Sequence, residues 1–192
     1  MSGTITNILL VGVGGQGILL ASEILSETFM LAGYDVKKSE IHGMSQRGGS
    51  VVSHVRFGEE VYSPIVPEGE GDILFGFEML ETCRCLSLMK KEGRVIANDL
   101  CIPPPSVLSG REQYPLGLAD KIRSLFPDFL LVDGLHLATL AGNPRTANTV
   151  LLGAVSKRLD VKEEYWLEAL GKMVPRKALE VNVKAFQAGR NL

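Results

Sequence analysis

The sequence predicts an α/β fold of the Rossmann-like type, in which helices flank a mostly parallel sheet. Short apolar runs alternate along the chain with longer segments whose apolar residues recur at helical spacing, which is typical of strand–helix–strand units. The first apolar run ends in a glycine-rich turn that opens a helix. Residues 161–192 show helical spacing alone, so we expect a single domain with a helical C-terminal extension on an α/β core of residues 1–160.

The strands are predicted from short apolar runs that glycine, proline or polar residues bound. They cover residues 5–12, 34–41, 50–57, 72–76, 94–99 and 129–133. Residues 50–57 alternate between apolar and polar, as expected of a strand with two different faces. We expect residues 58–60 to turn the chain so that residues 61–62 pair back on this strand, which gives the sheet one antiparallel hairpin.

The helices are predicted from apolar positions three and four residues apart. They cover residues 16–31, 78–91, 118–125, 135–140, 146–159 and 163–188, the last range being two helices broken near Pro175. Gly33 is expected to end the first helix, because glycine readily adopts the left-handed conformation found at helix ends. The three prolines at residues 103–105 predict a non-helical connection.

Composition and charge exclude several classes of protein. The net charge of −2 gives a nucleic-acid partner no electrostatic support. The sequence lacks both the roughly 18 uninterrupted apolar residues of a membrane span and the features of a signal peptide, so we expect a cytoplasmic protein without a membrane partner. Cys83, Cys85 and Cys101 are too few for a four-thiolate cluster, and we interpret them as reduced thiols near a helix, with no metal site.

The first candidate site is a glycine-rich turn between the first strand and the first helix. It consists of Gly12, Gly14, Gly15, Gln16 and Gly17 and fits the pattern G-x-G-x-x-G. Such a turn brings backbone amides close to a ligand, and the helix N-terminus favours an anion. Three interpretations stay open: a dinucleotide whose ribose Glu40 would bind, another phosphate-bearing ligand, and a purely structural turn.

The second candidate site is a polar loop after the second strand. It consists of His42, Gly43, Met44, Ser45, Gln46, Arg47, Gly48 and Gly49. Ligands of open α/β sheets bind outside the carboxyl ends of strands, and the guanidinium of Arg47 beside two glycines suits a planar anion. Contact with a ligand and docking on another protein are equal alternatives here, and a plain turn is the third. We expect the two loops to converge and to present donors to something outside the domain.

Three further polar residues are candidates for either a structural role or a role in a site. His54 alternates on a strand, which favours a residue of the sheet rather than of a site. His136 follows a strand end, and a structural role is favoured there. Asn148, near the start of a helix, is interpreted as structural or as a ligand contact.

The two motifs together resemble the gamma-type domain of the pyruvate and 2-oxoacid:ferredoxin oxidoreductases. In that family a G-x-G-G-Q-G turn is followed by a loop that contains R-G-G. The form H-G-M-S-Q-R-G-G-S-V at residues 42–51 is similar to the indolepyruvate branch of the family in particular. The stretches at residues 148–153 and 182–189 add support, so the resemblance extends along nearly the whole chain.

The resemblance implies a small subunit that is inactive alone. The assembled enzyme would oxidatively decarboxylate an aryl pyruvate such as indolepyruvate, join the acyl group to coenzyme A and pass electrons to ferredoxin. Thiamine diphosphate and iron–sulfur clusters are expected in the large alpha subunit. The two glycine-bearing loops are expected to face either coenzyme A or the partner subunit. The isolated chain is also a candidate homodimer.

Two alternatives to this role stay open. One is a free-standing Rossmann oxidoreductase that binds NAD or FAD, and the other is an interaction module without a ligand of its own.

Overall fold

The computed structural model describes residues 5–43 and 48–192, and six strands in these ranges form one sheet. The strands are β1 (Thr6–Val13), β2 (Asp35–His42), β3 (Ser50–Gly58), β4 (Gly71–Gly76), β5 (Met89–Asn98) and β6 (Leu130–Val132). Their order across the sheet is β2-β3-β1-β4-β5-β6. β3 runs antiparallel to both β2 and β1, whereas β1, β4, β5 and β6 pair in parallel. The predicted α/β fold with a mostly parallel sheet is confirmed.

The reversed direction of β3 follows from the short connection that precedes it. Only residues 43–49 join β2 to β3, whereas a parallel pair would need a crossover of roughly a dozen residues or more. β3 therefore folds back along β2. It takes the position beside β1 that the second strand occupies in a standard Rossmann sheet.

Helices cover both faces of the sheet. They are α1 (Ile18–Leu31), α2 (Met79–Arg84), α3 (Pro105–Leu108), α4 (Leu118–Leu125), α5 (Gly134–Ala141), α6 (Ala147–Ser156), α7 (Glu163–Met173) and α8 (Arg176–Arg190). The predicted stop after α1 is confirmed, because Gly33 has a φ of 89° and its amide donates to the carbonyl oxygen of Met30. In the part of the chain that the structure describes, no helix has the length and apolarity that crossing a membrane requires.

The alternation of β1 divides its side chains between two cores. Ile8 and Leu10 belong to the core that β1 forms with α1 and α6–α8, whereas Leu9 belongs to the core with α2 and α4. Trp166 of α7 and Phe186 of α8 are fully buried in the first of these cores. The C-terminal helices pack against α1 and α6, so they complete one face of the molecule.

The predicted hairpin of residues 61–62 on β3 is wrong. Both edges of β3 are already hydrogen-bonded, one to β1 and the other to β2, so no edge is left for a returning strand. Instead, the backbone amide of Val61 donates to the carboxylate of Asp35 at 2.8 Å. The antiparallel hairpin of this fold is the one between β2 and β3.

The predicted helix over residues 78–91 is too long. α2 ends at Arg84, a short 3-10 turn follows, and Met89 already pairs with Gly71 of β4 at the start of β5. Lys90, which suits a helix on the sequence pattern, forms an ion pair with Asp72 of β4 at 2.8 Å. The proline-rich connection also holds one helical turn, α3, which begins at Pro105 because proline is tolerated in the first turn of a helix.

His54 links the stability of the fold to pH. Its ring is buried on β3, and Nδ1 accepts a hydrogen bond from the backbone amide of Val66 at 3.1 Å. Burial lowers the pKa of His54, so the native state takes up a proton at a lower pH than the unfolded chain, whose histidine titrates near its ordinary pKa of about 6.5. Stability is therefore expected to fall as the pH drops below about 6.5.

Urea denaturation between pH 7.5 and pH 5 measures this effect. His54→Asn keeps an acceptor for Val66 but does not titrate, so it should lose less stability than the unmodified protein over the same range. His136→Asn, at an exposed position, is the matched control and should keep the full dependence. Equal slopes for His54→Asn and the unmodified protein would contradict the assignment.

Candidate functional site

The two glycine-bearing loops meet at one end of the sheet. β1 and β3 are paired up to Val13 and Ser50, where the glycine turn leaves β1 and the polar loop enters β3. Beyond this pair, the backbone amide of Gly14 donates to the carbonyl oxygen of Gly49 at 2.9 Å. The expected convergence of the two loops is therefore present in the fold. Met44, Ser45, Gln46 and Arg47 of the polar loop lie outside the described residues.

A cleft of about 570 Å³ opens between the two loops. It is lined by Gly14, Gly15, Gly17, Ile18, Leu19, Leu20, His42 and Val51. His42 and Gly43 are exposed at its rim, on the side where β2 ends. The lining combines backbone donors with apolar side chains, which is typical of a site for an organic anion.

The backbone of the glycine turn requires glycine at three of its positions. Gly15 and Gly17 have φ values of 102° and 80°, in the left-handed region that other residues avoid. A Cβ added at Gly12 would lie 2.7 Å from the Cβ of Phe77, so the turn passes too close to the end of β4 for any side chain. The turn is therefore a fixed feature of the fold.

The N-terminus of α1 presents free donors to the cleft. Gly17 caps α1 without a side chain, and the first turn of α1 contains no acidic residue. The backbone amides of Gly14 and Gln16 are occupied by Gly49 and Val13. Those of Gly15 and of residues 17–20 have no acceptor among the described residues. Unpaired amides and the partial positive charge of the helix end together make a site for an anion.

The side chain of Gln16 fixes the turn rather than facing the cleft. Its Oε1 accepts from the amide of Val13 at 2.7 Å, and its Nε2 donates to the carbonyl oxygen of Phe77 at 2.9 Å. Asn98 donates to the same carbonyl at 3.4 Å and accepts from the amide of Gly134 at 3.0 Å. These bonds connect the carboxyl ends of β1, β4 and β5 with the start of α5. They stabilise the end of the sheet at which the cleft lies.

Comparisons with known proteins agree with this arrangement. The family model described as pyruvate ferredoxin/flavodoxin oxidoreductase matches residues 7–192. The chain belongs to this oxidoreductase family. It is 42% identical over 190 residues to the indolepyruvate oxidoreductase subunit IorB of Thermococcus kodakarensis, with 95% of this chain and 93% of the relative covered. The corresponding subunit of Archaeoglobus fulgidus is 36% identical, with 96% and 94% covered.

Solved structures show the same relationship. The gamma subunit of a keto/oxoacid ferredoxin oxidoreductase from Geobacter sulfurreducens superposes with a TM-score of 0.69 at 26% identity, covering 97% of this chain and 96% of that one. The predicted family, and the role of the chain as a subunit of an oxidoreductase complex, are therefore confirmed.

Within this oxidoreductase fold, Glu40 is badly placed for the ribose of a dinucleotide. A Rossmann site needs its acidic residue on the strand next to β1, but β3 lies between β2 and β1. The carboxylate of Glu40 is also engaged by Lys38 at 3.2 Å and by the hydroxyl of Ser22 at 3.3 Å. The geometry disfavours the NAD or FAD alternative.

The sequence did not reveal the role of a buried carboxylate that lies just beyond the carboxyl end of β4. Glu78 is 1% exposed, and its carboxylate accepts from the amides of Glu81 and Ile102 and from the hydroxyl of Tyr114 at 2.5 Å. Burial and the hydrogen bond to Glu78 raise the pKa of Tyr114 well above its usual range, so the phenol stays a donor. A glutamate that follows a strand and precedes a helix is a recognisable N-cap position, and this was the available signal.

The cysteines do not gather into a metal site. Cys83 and Cys85 lie at the end of α2 against the core that contains α4, whereas Cys101 is exposed after β5. Burial raises the pKa of Cys85 to about 11, which keeps this thiol protonated at neutral pH. Across residues 5–43 and 48–192, no three His, Cys, Asp or Glu side chains come together in a way that would hold a metal ion.

Proposed function

We propose that the chain is the small subunit of an indolepyruvate-type 2-oxoacid:ferredoxin oxidoreductase. Relatives named as indolepyruvate oxidoreductase subunits are 36% to 42% identical to it and match it over 95% to 96% of its length. In the proposed reaction, an aryl pyruvate loses carbon dioxide, its acyl group is joined to coenzyme A, and two electrons pass to ferredoxin. A large alpha subunit supplies thiamine diphosphate and the iron–sulfur clusters.

The contribution of this chain is to hold coenzyme A at the cleft between the glycine turn and the polar loop. The observation that carries this proposal is a set of amides, at Gly15 and residues 17–20, that have no acceptor among the described residues and face a cleft of about 570 Å³. Coenzyme A has a diphosphate and a further phosphate, and helix N-termini bind such groups through free amides. In the sequence, the polar loop also contains Arg47, whose guanidinium would add a cation for the phosphates.

The apolar part of the cleft fits the rest of the same molecule. Leu19, Leu20 and Val51 line the cleft beside the glycine backbone. Pantetheine and adenine offer apolar surface that these side chains would bury, while the phosphates stay with the amides. A free inorganic anion would use the amides alone.

Leu19→Glu should weaken coenzyme A selectively. Leu19 is 49% exposed, lines the cleft and lies in the first turn of α1, where a carboxylate favours the helix but repels a phosphate. The KM of the assembled enzyme for coenzyme A should rise roughly tenfold, because like charges in contact are strongly unfavourable. Steady-state kinetics with coenzyme A as the varied substrate measure the change, and thermal denaturation should show no loss of stability.

Leu140→Glu is the matched control, because Leu140 is 71% exposed near the end of α5 and takes no part in the cleft. Co-elution with the large subunit separates the alternatives. If Leu19→Glu leaves the KM unchanged and weakens assembly, the loops are a docking surface and the coenzyme A proposal is wrong. An unchanged KM with intact assembly would contradict it equally.

A further inference from the structure

β2 forms one edge of the sheet, and its outer side has no partner strand among residues 5–43 and 48–192. It pairs with β3 over eight consecutive residues and contains neither a bulge nor a proline. Proteins usually shorten or interrupt edge strands, because a long, regular edge readily pairs with another strand. β6, at the opposite edge, has only three residues. The edge formed by β2 is therefore the one that could accept a further strand.

The pairing within the sheet shows which backbone groups of β2 point outward. Hydrogen-bonded and non-hydrogen-bonded pairs alternate along an antiparallel ladder. The amide of Gly43 donates to the carbonyl oxygen of Ser50 at 3.4 Å, in register with the β2–β3 ladder, and the bond from Gly14 to Gly49 gives the same alternation from the other side of β3. The residues whose amides and carbonyls point outward are Val36, Lys38, Glu40 and His42. In the described part of the chain, these four amides have no acceptor.

The outward residues match a second copy of β2 in only one register. A two-fold axis perpendicular to the sheet makes the two copies of the strand antiparallel, and residues at equal distances from the axis lie opposite each other. All four outward residues find partners only if the axis passes through Ser39. Val36 then lies opposite His42 of the second copy, and Lys38 lies opposite Glu40. These pairs would supply roughly eight backbone hydrogen bonds.

The charges on β2 are complementary in this register. Within one copy, Nζ of Lys38 lies 3.2 Å from the carboxylate of Glu40. In the pair of copies, each lysine would also face the glutamate of the other copy, so four charges would alternate in sign across the interface. An axis shifted by one residue would place Lys38 opposite Lys38 or Glu40 opposite Glu40, and like charges directly opposite are destabilising. The charged side chains therefore select the register that is centred on Ser39.

Exposed apolar side chains lie beside the same edge. Ile41 is 54% exposed and Met30 of α1 is 52% exposed. In the register described, Ile41 would lie opposite Lys37 of the second copy, whose methylene groups can cover it. Met30 lies two turns after Glu23, which contacts Lys38 at 3.3 Å, so Met30 is on the side of α1 that faces the edge. Association would remove this apolar surface from water.

We propose that the outer edge of β2 is an interface between two copies of this chain, which join their sheets into one sheet across a two-fold axis at Ser39. The proposal does not depend on whether the cleft binds coenzyme A. His42 belongs both to this edge and to the lining of the cleft. Pairing of the copies would therefore also stabilise the end of β2 from which the polar loop leaves.

Two charge reversals test the register by sedimentation equilibrium of the full-length chain. The unmodified chain should form a dimer. Lys38→Glu and Glu40→Lys each put like charges opposite each other twice, so each variant alone should raise the Kd of the dimer about thirtyfold. An equimolar mixture of the two variants has only opposite charges in contact and should form a heterodimer with nearly the original Kd. Lys177→Glu, at an exposed position on α8, is the control and should leave the Kd unaltered.

A cysteine at position 39 tests the position of the axis in the assembled enzyme. In a non-hydrogen-bonded antiparallel pair, the Cα atoms are about 4.5 Å apart, which a disulfide can span. With the exposed thiol removed by Cys101→Ser, oxidation of Ser39→Cys should join two small subunits on a non-reducing gel. Lys37→Cys should not form this link, because the two copies of residue 37 would lie roughly 13 Å apart along the strands.

Several results would overturn the proposal. One is an unmodified chain that stays monomeric at every concentration. Another is a dimer whose Kd neither charge reversal changes, because the copies would then associate through another surface. If Ser39→Cys forms no link in the assembled enzyme, the edge is not an interface between small subunits there. Restored association in the mixture of the two reversals, together with the link at position 39, is the result expected, and a loss of stability in either variant could not produce it.

Discussion

Gly189→Ala should lower the free energy of unfolding by about 3 kcal/mol, since overpacking against a rigid backbone is costly. Gly189 lies on α8 where α8 crosses α6, and an added Cβ would overlap the carbonyl oxygen of Val150 and lie 2.7 Å from its carbonyl carbon. Gly153 of α6 makes the reciprocal close approach to the backbone of Phe186. Backbone atoms cannot rotate away as a side chain can, so the two helices must separate. Urea denaturation monitored by circular dichroism measures the loss.

Gly171→Ala is the matched control for this prediction. Gly171 lies inside α7, and a Cβ added there meets nothing within 4 Å. Alanine is a better helix former than glycine, so this variant should gain about 0.5–1 kcal/mol. A similar loss in both variants would mean that the close contact of α6 with α8 is not what makes Gly189 necessary.

Glu78→Ala should cost about 3 kcal/mol, because it leaves buried donors without their acceptor. The carboxylate of Glu78 is the partner of the amides of Glu81 and Ile102 and of the hydroxyl of Tyr114. The bonds from Ile102 and Tyr114 anchor the segment after β5, in which residues 101–117 include no fully buried residue. Hydrogen exchange should therefore quicken in that segment more than in β1 or β4.

Two variants delimit the Glu78 prediction. Tyr114→Phe removes one of the three donors together with its need for a partner, so it should cost only about 1 kcal/mol. Glu112→Ala, in the same segment, removes an exposed carboxylate that bonds to Ser106 and should change the stability little. A small loss in Glu78→Ala would contradict the role of the carboxylate as the anchor.

The spacing of apolar residues predicted most of the strands and helices, because the burial of these elements repeats regularly along the sequence. The apolar runs that became β1 and β4 are buried on both faces, and such runs are visible in the sequence. The α4 prediction, residues 118–125, matches the observed helix at both ends. These elements depend on burial along their own length.

The errors arose where a distant partner decides the conformation. Residues 61–62 look like a strand, but no free edge of β3 remains for them once β1 and β2 have paired. The sequence pattern of residues 89–91 predicts a helix, but these residues begin β5, which pairs with β4. Such competition for edges is a property of the whole sheet.

The candidate site was predictable as a place but not in its details. The convergence of the two loops followed from their positions at strand ends. The internal use of the Gln16 amide depends on Phe77, which is 61 residues away in the sequence. The hydroxyl of Thr149 likewise finds its acceptor on Asn182 of α8, which is 33 residues away in the sequence. The sequence pattern identifies the candidate site residues. Tertiary contacts then determine which of their donors and acceptors are used inside the fold.

Hydrogen exchange on the assembled enzyme, with and without coenzyme A, tests the central claim most directly. Binding should slow exchange in two peptides that cover residues 12–20 and 41–52, because the amides of the turn and of α1 that lack acceptors in residues 5–43 and 48–192 would gain them. A peptide from α7, which packs against α1 but contributes no residue to the lining of the cleft, should stay unchanged as the internal reference. Slowed exchange confined to the large subunit, with both cleft peptides unaffected, would contradict the account.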